Sequence, residues 1–398
     1  MGAFFECEEK KVRPGIYKNY DTPKADTTAQ AIDGVGAIPI SADFGPLDEV
    51  VEFSGNNISE SLEVVYGTGG TVGVAQSFAK GGLSTLYVYR MGNGGNCAEV
   101  TLNNAVKITA LYPGKRNVSV SVKKNLFDEN TMTFTAYEKT NIVIESFNAI
   151  YDSETGAAAA LIDAINNKSV YFKAQSVSGG GDDVFVENAA LSGGENPAVT
   201  AKNYSDAFSA LEPYNYNVIT LDTIKPLGGS DASVDIQKLL FEYVKEAYKG
   251  GKNLVGVIGY DTDTDIKERI NKAKEFDSEL VITTGSTFAD SNGIEIKGAE
   301  AVARQAGVIA ATPSNESILH TAIPGAAACS EKFTNDIYES AINAGLLLIS
   351  EGSGGEVWFD SSINSLKTLS EKQDAGWKKI KRTRVRMELF DRIDRNLE

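Results

Sequence analysis

Residues 234–284 read VDIQKLLFEYVKEAYKGGKNLVGVIGYDTDTDIKERINKAKEFDSELVITT, and the order of periods in this stretch decides the fold. Ile236, Leu239, Leu240, Tyr243, Val244 and Ala247 share the spacing of one helix face, and Gly250-Gly251 closes the run. The spacing predicts a helix over 234–248. A short apolar strand follows over 254–258. A second helix over 263–276 opens on acidic residues, which suit the positive end of a helix. A second strand covers 280–284. Strand and helix in strict alternation argue a parallel sheet with helices on its faces.

Outward from this stretch the alternation continues. Downstream, a small-residue helix is predicted over 298–311, closed by Thr312-Pro313, and another helix over 337–350. Strands are predicted over 357–359 and 363–369. Upstream lies a strand over 218–221. Before it come a strand over 35–40, a turn at Phe44-Gly45-Pro46, a helix over 74–80 and a strand over 84–90 rich in aromatic and β-branched residues.

The middle of the chain has a different period. Two-residue alternation marks 99–102, 105–108, 117–123, 132–137, 141–147, 170–175 and 184–187, with one short helix over 157–165. Short strands at this spacing suggest a small antiparallel β domain, here inserted between two α/β stretches. The expected fold class is therefore an α/β core, mostly parallel sheet flanked by helices, with an inserted small antiparallel β domain and extended terminal arms. The expected division is an arm over 1–20, the first part of the core over 21–97, the insertion over 98–192, the second part of the core over 193–375 and a basic C-terminal helix or arm over 376–398.

The 398 residues carry a net charge of −16, unevenly spread. Residues 376–395 hold eight Lys/Arg against three Asp/Glu, a local +5 that leaves −21 on the rest. An acidic body repels nucleic acid and anionic membranes, while a basic tail suits an acidic protein surface. The N-terminus, MGAFFECEEKKVRPG, has no long apolar core, and no run of 18 apolar residues occurs, so neither a signal peptide nor a membrane span is expected. Cys7, Cys97 and Cys329 are far apart and form no CxxC pair, so they are expected to be reduced, small buried hydrophobes.

Chemistry finds little to work with. His320 is the one histidine, and its neighbours do not resemble a nucleophile elbow, so triad catalysis and histidine-based zinc sites are not expected. The loop Gly67-Thr68-Gly69-Gly70-Thr71-Val72-Gly73 invites a phosphate-loop reading. Val72 breaks the GxGxxG spacing, and the Lys-Ser/Thr of a P-loop is absent. Asp261-Thr262-Asp263-Thr264-Asp265 opens like a calcium loop, but Ile266 stands at the obligatory glycine and Lys272 at the bidentate glutamate. An acidic helix start explains it better. No enzyme activity, cofactor or metal is expected. Two rivals remain: an α/β nucleotide-binding enzyme, and a cell-surface array or adhesin protein, for which acidity and β content speak.

Several segments resemble the contractile phage tail sheath family, in particular sheaths of Gram-positive phages, prophages and phage-tail-like bacteriocins. Arg13, Pro14, Gly15, Ile16 and Tyr17 look like its N-terminal entry. Residues 34–40 (GVGAIPI) with Phe44-Gly45-Pro46 are similar to its first core strand and turn, and 110–117 (ALYPGKRN) to the opening of its β insertion. Residues 204–211 with 216–221, then 303–312 (ARQAGVIAAT) with Pro324-Gly325-Ala326, resemble later core blocks. Ser362-Ile363-Asn364-Ser365-Leu366 and the basic run over 381–393 resemble its terminal pattern. The blocks occur in the family's order from residue 13 to about 393. Many relatives continue with more helix and a final β segment where this sequence stops at Glu398.

The resemblance implies a structural subunit that polymerises as a helical sleeve around a rigid inner tube and contracts to drive the tube through a cell envelope. It implies neighbouring copies, the inner tail tube protein, and baseplate and tail terminator proteins as partners, with no direct nucleic acid or membrane insertion. The implied place is the tail of a virion or phage-tail-like particle, assembled in the host bacterial cytoplasm. Residues 10–20, with Arg13, Pro14, Gly15, Ile16 and Tyr17, are expected to link subunits. Lys378, Lys379, Lys381, Arg382, Arg384 and Arg386 are expected to face the tube or an acidic neighbour.

Overall fold

The computed structural model describes residues 3–4, 17–18, 33–138, 142–152, 154–227, 234–260 and 263–397. Its centre is a seven-stranded sheet ordered Leu346–Leu347, Val281–Thr284, Val255–Gly259, Val218–Thr220, Val35–Ile40, Thr85–Arg90 and Val50–Ser54. All neighbours are parallel except the last pair. Val218–Thr220, Val255–Gly259 and Val281–Thr284 are buried along their whole length, as strands covered on both faces must be.

The helices are α1 (Ile58–Tyr66), α2 (Val72–Ala79), α3 (Ala157–Lys168), α4 (Ala201–Leu211), α5 (Ile236–Lys249), α6 (Ile266–Ala273), α7 (Gly298–Ala311), α8 (Asn335–Ala344) and α9 (Ile380–Leu397). The decisive stretch folds as its periods predict. Asp235 caps α5 by accepting from the Gln237 amide at 3.0 Å, and Ile236, Leu240, Val244 and Ala247 face the core. Asp265 caps α6 through the Lys267 amide at 2.7 Å, which accounts for the acidic cluster there; Asp261 and Thr262 lie outside the described residues.

Small residues in α7 serve a close helix crossing. A Cβ on Gly307 would stand 2.3 Å from the Phe78 carbonyl oxygen and 2.8 Å from Gly81 Cα. Arg304 ties the pair further, donating to the Ser77 carbonyl at 3.0 Å and the Pro324 carbonyl at 2.6 Å. Gly307→Ala is therefore expected to destabilise, although alanine is the better helix former by about 1 kcal/mol. Overpacking against backbone leaves a net loss of about 1–2 kcal/mol, read as a lower urea midpoint. An unchanged or raised midpoint would mean that the two helices separate freely.

Residues 98–191 bury a second apolar cluster, with Leu102, Val106, Ile108, Val118, Val120, Phe134, Leu161, Ile165 and Phe172 at its centre. Its walls are two antiparallel sheets and α3. One sheet is ordered Ile142–Ile150, Thr131–Glu138, Val118–Lys124, Val186–Ala190, the other Phe172–Ser176, Val106–Ala110, Glu99–Leu102. Phe44 reaches into this cluster from the core, packing against Tyr112, Tyr171 and Phe172 with ring centroids 5.7–6.1 Å apart.

Three local expectations change. The helix expected over 337–350 ends at Ala344, because Gly345 adopts the left-handed conformation (φ 79°) and turns the chain. Leu346–Leu347 then joins the sheet edge, and Ile349–Glu351 pairs with Val357–Phe359. The strand expected over 363–369 shrinks to a single antiparallel bridge, Ile363 with Lys379, which the Asn364 side chain reinforces. That side chain donates to the Trp377 carbonyl at 2.8 Å and accepts from the Leu366 amide at 3.1 Å. The edge strand Val50–Ser54 and α1 were not predicted. In α1 the core positions Ile58, Leu62 and Tyr66 have helical spacing, but Val64-Val65 masks it with strand-forming residues.

Candidate functional site

The glycine loop is the place to test the nucleotide reading, because the fold puts it where such a site belongs. It leads into α2 beside Ser41 and Asp222, which follow the neighbouring parallel strands Val35–Ile40 and Val218–Thr220. Strand order reverses between these two strands, the crevice where open α/β sheets receive ligands. Here the protein's own carboxylates fill it. Thr71, the N-cap of α2, donates its hydroxyl to Asp222 at 2.7 Å, and Tyr204 donates to the same carboxylate at 2.6 Å. Asp43 covers Gly69 so closely that a Cβ there would stand 1.8 Å from its Oδ2, and Asn196 donates to Asp43 at 2.6 Å. A phosphate brought to this helix end meets two carboxylates instead of an open cradle of amides. Burial pushes the Asp222 carboxyl above its usual range.

The joint between core and insertion is built on the stretch 110–117. Arg90, buried and without a carboxylate partner among the described residues, donates to the carbonyls of Gly45, Ala42 and Pro113 at 2.6–2.9 Å. Desolvation pushes its guanidinium down to about 10. Gly114 (φ 157°) lies against the Asp43 carbonyl, where a Cβ would be 1.8 Å from the oxygen. The Lys115 amide donates to Asn196 Oδ1 at 3.0 Å. Arg116 donates to Glu138 at 2.9 Å and to the carbonyls of Val64 and Glu63 at 2.8 and 3.0 Å, satisfying the end of α1. One motif thus seats a whole insertion through main-chain and buried charged contacts. What it can do is hold two packed bodies in fixed relation.

The third region is the C-terminal helix, where the expected basic surface residues divide. Lys379 and Lys381 are exposed, and Lys378 is half-buried. Arg382 is exposed, pairs with Asp374 and lies 5.5 Å from the Trp377 ring. Arg386 turns inward, 3.1 Å from Glu279 and 4.2 Å from the centroid of Trp377. Arg384 is buried within its own subunit, donating to the Thr312 carbonyl at 2.5 Å and to Asp33 at 3.2 Å. Neither Arg384 nor Arg386 is free to meet another chain in this fold. Spacing alone missed this, because every third or fourth residue of α9 turns to the body and the basic run is continuous.

Of the expected linking residues, Tyr17 lies in a two-residue strand, Tyr17–Lys18, paired in parallel with Ala3–Phe4. Arg13, Pro14, Gly15 and Ile16 lie outside the described residues, as does Cys7. Cys97 and Cys329 are free thiols, Cys329 buried and Cys97 half-buried. His320 (φ 58°) packs on Trp358. Among the described residues no group of three or more His, Cys, Asp or Glu is placed to hold a metal ion, and no helix is long and apolar enough to cross a membrane.

Residues 197–365, most of the second part of the core, match the family described as phage tail sheath protein central domain. Phage-like element PBSX protein XkdK of Bacillus subtilis strain 168 is 23% identical over 402 aligned residues, which cover 96% of this chain and 79% of that protein. Among solved structures, the sheath tail protein of Desulfitobacterium hafniense shares the fold with a TM-score of 0.69 at 20% identity, covering 96% of this chain and 82% of the other. The sheath tail protein of Listeria innocua does so with a TM-score of 0.70 at 21% identity, covering 94% and 78%. The chain thus carries a match to the phage tail sheath central domain over residues 197–365 and shares the fold of these two sheath tail proteins along its length.

Proposed function

We propose that this chain is the structural subunit of a contractile tail sheath, polymerising as a helical sleeve around an inner tube and contracting to drive that tube through a cell envelope. The observation that carries the proposal is the sheath central domain matched over residues 197–365. Work in such a machine is stored in subunit interfaces, so it needs no nucleotide. A switch-point crevice filled by Asp43 and Asp222 agrees with a structural rather than catalytic role. Neighbouring copies, the inner tube protein, baseplate and terminator are the proposed partners, and a virion or phage-tail-like particle assembled in the host cytoplasm is the proposed location.

The outward face of α9 supports the proposed docking role. Val385, Leu389, Phe390 and Ile393 are 39–54% exposed on it, beside exposed Lys381 and Arg382. An apolar strip with a basic rim fits an apolar strip with an acidic rim. The proposed docking cations are therefore Lys378, Lys379, Lys381 and Arg382. Residues 10–20, with Arg13, Pro14, Gly15, Ile16 and Tyr17, are proposed to link neighbours by strand addition, and the insertion to lie outward on the sleeve.

Electron microscopy of the purified chain with its inner tube protein tests the reading; hollow or tube-filled striated sleeves are expected. Replacing Lys378, Lys379 and Lys381 together by Glu is expected to cut sleeve formation about tenfold or more at low ionic strength, with the deficit changing as salt screens the charges. The fold should survive, since no internal ion pair uses these three among the described residues. Normal tails from this variant would remove Lys378, Lys379 and Lys381 from the docking surface.

A further inference from the structure

The helix α9 is amphipathic in the inverted sense. Its outward face is the apolar strip described above, whereas much of its inward face is polar: Thr383 and Arg384 are buried beside Ile380 and Met387. A helix docked by hydrophobic packing alone would turn Leu389, Phe390 and Ile393 to the body. Instead its hold on the body includes ion pairs and hydrogen bonds, and these converge on one edge of the molecule.

Each tie lands just before a strand of the parallel sheet or at the end of a helix. Arg384 meets Asp33, two residues before Val35–Ile40. Asp391 accepts from Asn253 at 2.7 Å, before Val255–Gly259. Arg386 meets Glu279 at 3.1 Å, before Val281–Thr284. Arg384 also donates to the carbonyls of Thr312 and Ala310, at 2.5 and 3.4 Å, where the end of α7 leaves acceptors unfilled. The Gly34 amide donates to the same Ala310 carbonyl at 2.8 Å, and Glu388 accepts from Ser314 one turn further along. Arg384 thus links the end of α7, the C-terminal helix and the residue two before the strand Val35–Ile40.

We propose that α9 is a polar-latched strap across the N-terminal edge of the core sheet, and that Arg384 is the positioning residue that registers its outward face and couples it to Asp33. Asp33 stands thirteen residues after the end of the proposed linking arm. A load carried along the chain from that arm therefore enters the core at the residue that Arg384 holds, and a load on α9 reaches the same point. This consequence for assembly rests on the sheath reading; the latch itself does not.

Hydrogen exchange of the full chain, read by mass spectrometry, tests the latch without any assembly. In Arg384→Ala, amides of residues 383–393 and of Gly34 are expected to exchange about tenfold faster or more, while Val120 and Phe134 in the insertion keep wild-type rates. Asp33→Asn keeps the carbonyl bonds of Arg384 and is expected to raise exchange in both regions by about threefold. Unchanged α9 exchange in Arg384→Ala, or an equal rise across the whole chain, would overturn the latch. A rise confined to Gly34 in Asp33→Asn would overturn the coupling. Where Arg384→Ala does not fold, Arg384→Lys, which keeps the charge but not the fork of donors, carries the same test. Sleeve formation is scored in parallel. Wild-type chain that forms no sleeves speaks against the sheath reading and leaves the exchange result standing.

Discussion

Replacing Arg116 by alanine is expected to cost about 3–5 kcal/mol, much of the stability of an ordinary domain. The side chains of Arg116 and Glu138 are 1% and 8% exposed. Removing the guanidinium strands a carboxylate in the joint and leaves the Val64 carbonyl at the end of α1 without that donor, while the Glu63 carbonyl keeps only the Gly67 amide. The Phe44 ring also loses the cation 5.6 Å from its centroid. The joint between core and insertion should weaken with it, so the variant is expected to unfold at a lower urea midpoint and to yield to protease near residues 112–118. Pairing Arg116→Met with Glu138→Leu removes both charges. It is expected to restore part of the loss and leave a deficit of about 1–3 kcal/mol from the unfilled Val64 carbonyl. A single variant within about 1 kcal/mol of wild type would show that water replaces the guanidinium in the joint.

Asp222→Ala is expected to cost about 3 kcal/mol, because it leaves the buried Tyr204 hydroxyl without its acceptor, shifts the half-buried Thr71 hydroxyl to its longer bond with the Ser41 carbonyl and opens a small cavity. The pH dependence has a definite sign. Burial raises the Asp222 carboxyl above 3.8, so the folded chain holds this proton at a pH where the unfolded chain has released it. The stability from this group is fully present below pH 3.8 and is lost as pH rises through the folded value. Asp222→Asn does not titrate and serves as the reference. The advantage of wild type over Asp222→Asn, measured as urea midpoints across the acid range, is expected to shrink with rising pH. An advantage that grows with pH would mean that the two hydroxyl bonds outweigh burial and hold the carboxylate ionised.

Much of the architecture was legible in the residues. The stretch 234–284 announces its strands and helices because a parallel strand covered on both faces must be apolar throughout, and a covering helix must be apolar on one side. The insertion was legible for the same kind of reason: Val118–Lys124 and Thr131–Glu138 alternate because one face of their sheet is buried. Less legible were α1, whose Val64-Val65 favours a strand, and the stretch after Ala344, where Gly345 turns a greasy run out of the helix and into two strands. The joint over 362–366 escaped because its pairing stops at one bridge, Ile363 with Lys379, and the Asn364 side chain makes the further bonds, which no local period reports.

For the candidate site, the residues showed that 376–395 is basic and helical, but not which cations remain available. Lys379 and Lys381 project outward, whereas Arg384 and Arg386 end on Asp33, Thr312 and Glu279, up to 351 positions away in the chain. Likewise the glycine loop at 67–73 showed only that it lacked a phosphate motif; that Asp43 and Asp222 occupy its place follows from strands brought together across the switch point. Sequence by itself determined the periods, the breaks and the charge of each segment, because these depend on neighbours within one or two turns. Only the tertiary structure decided which charges are buried and which face outward, because burial is set by contacts between residues far apart in the chain.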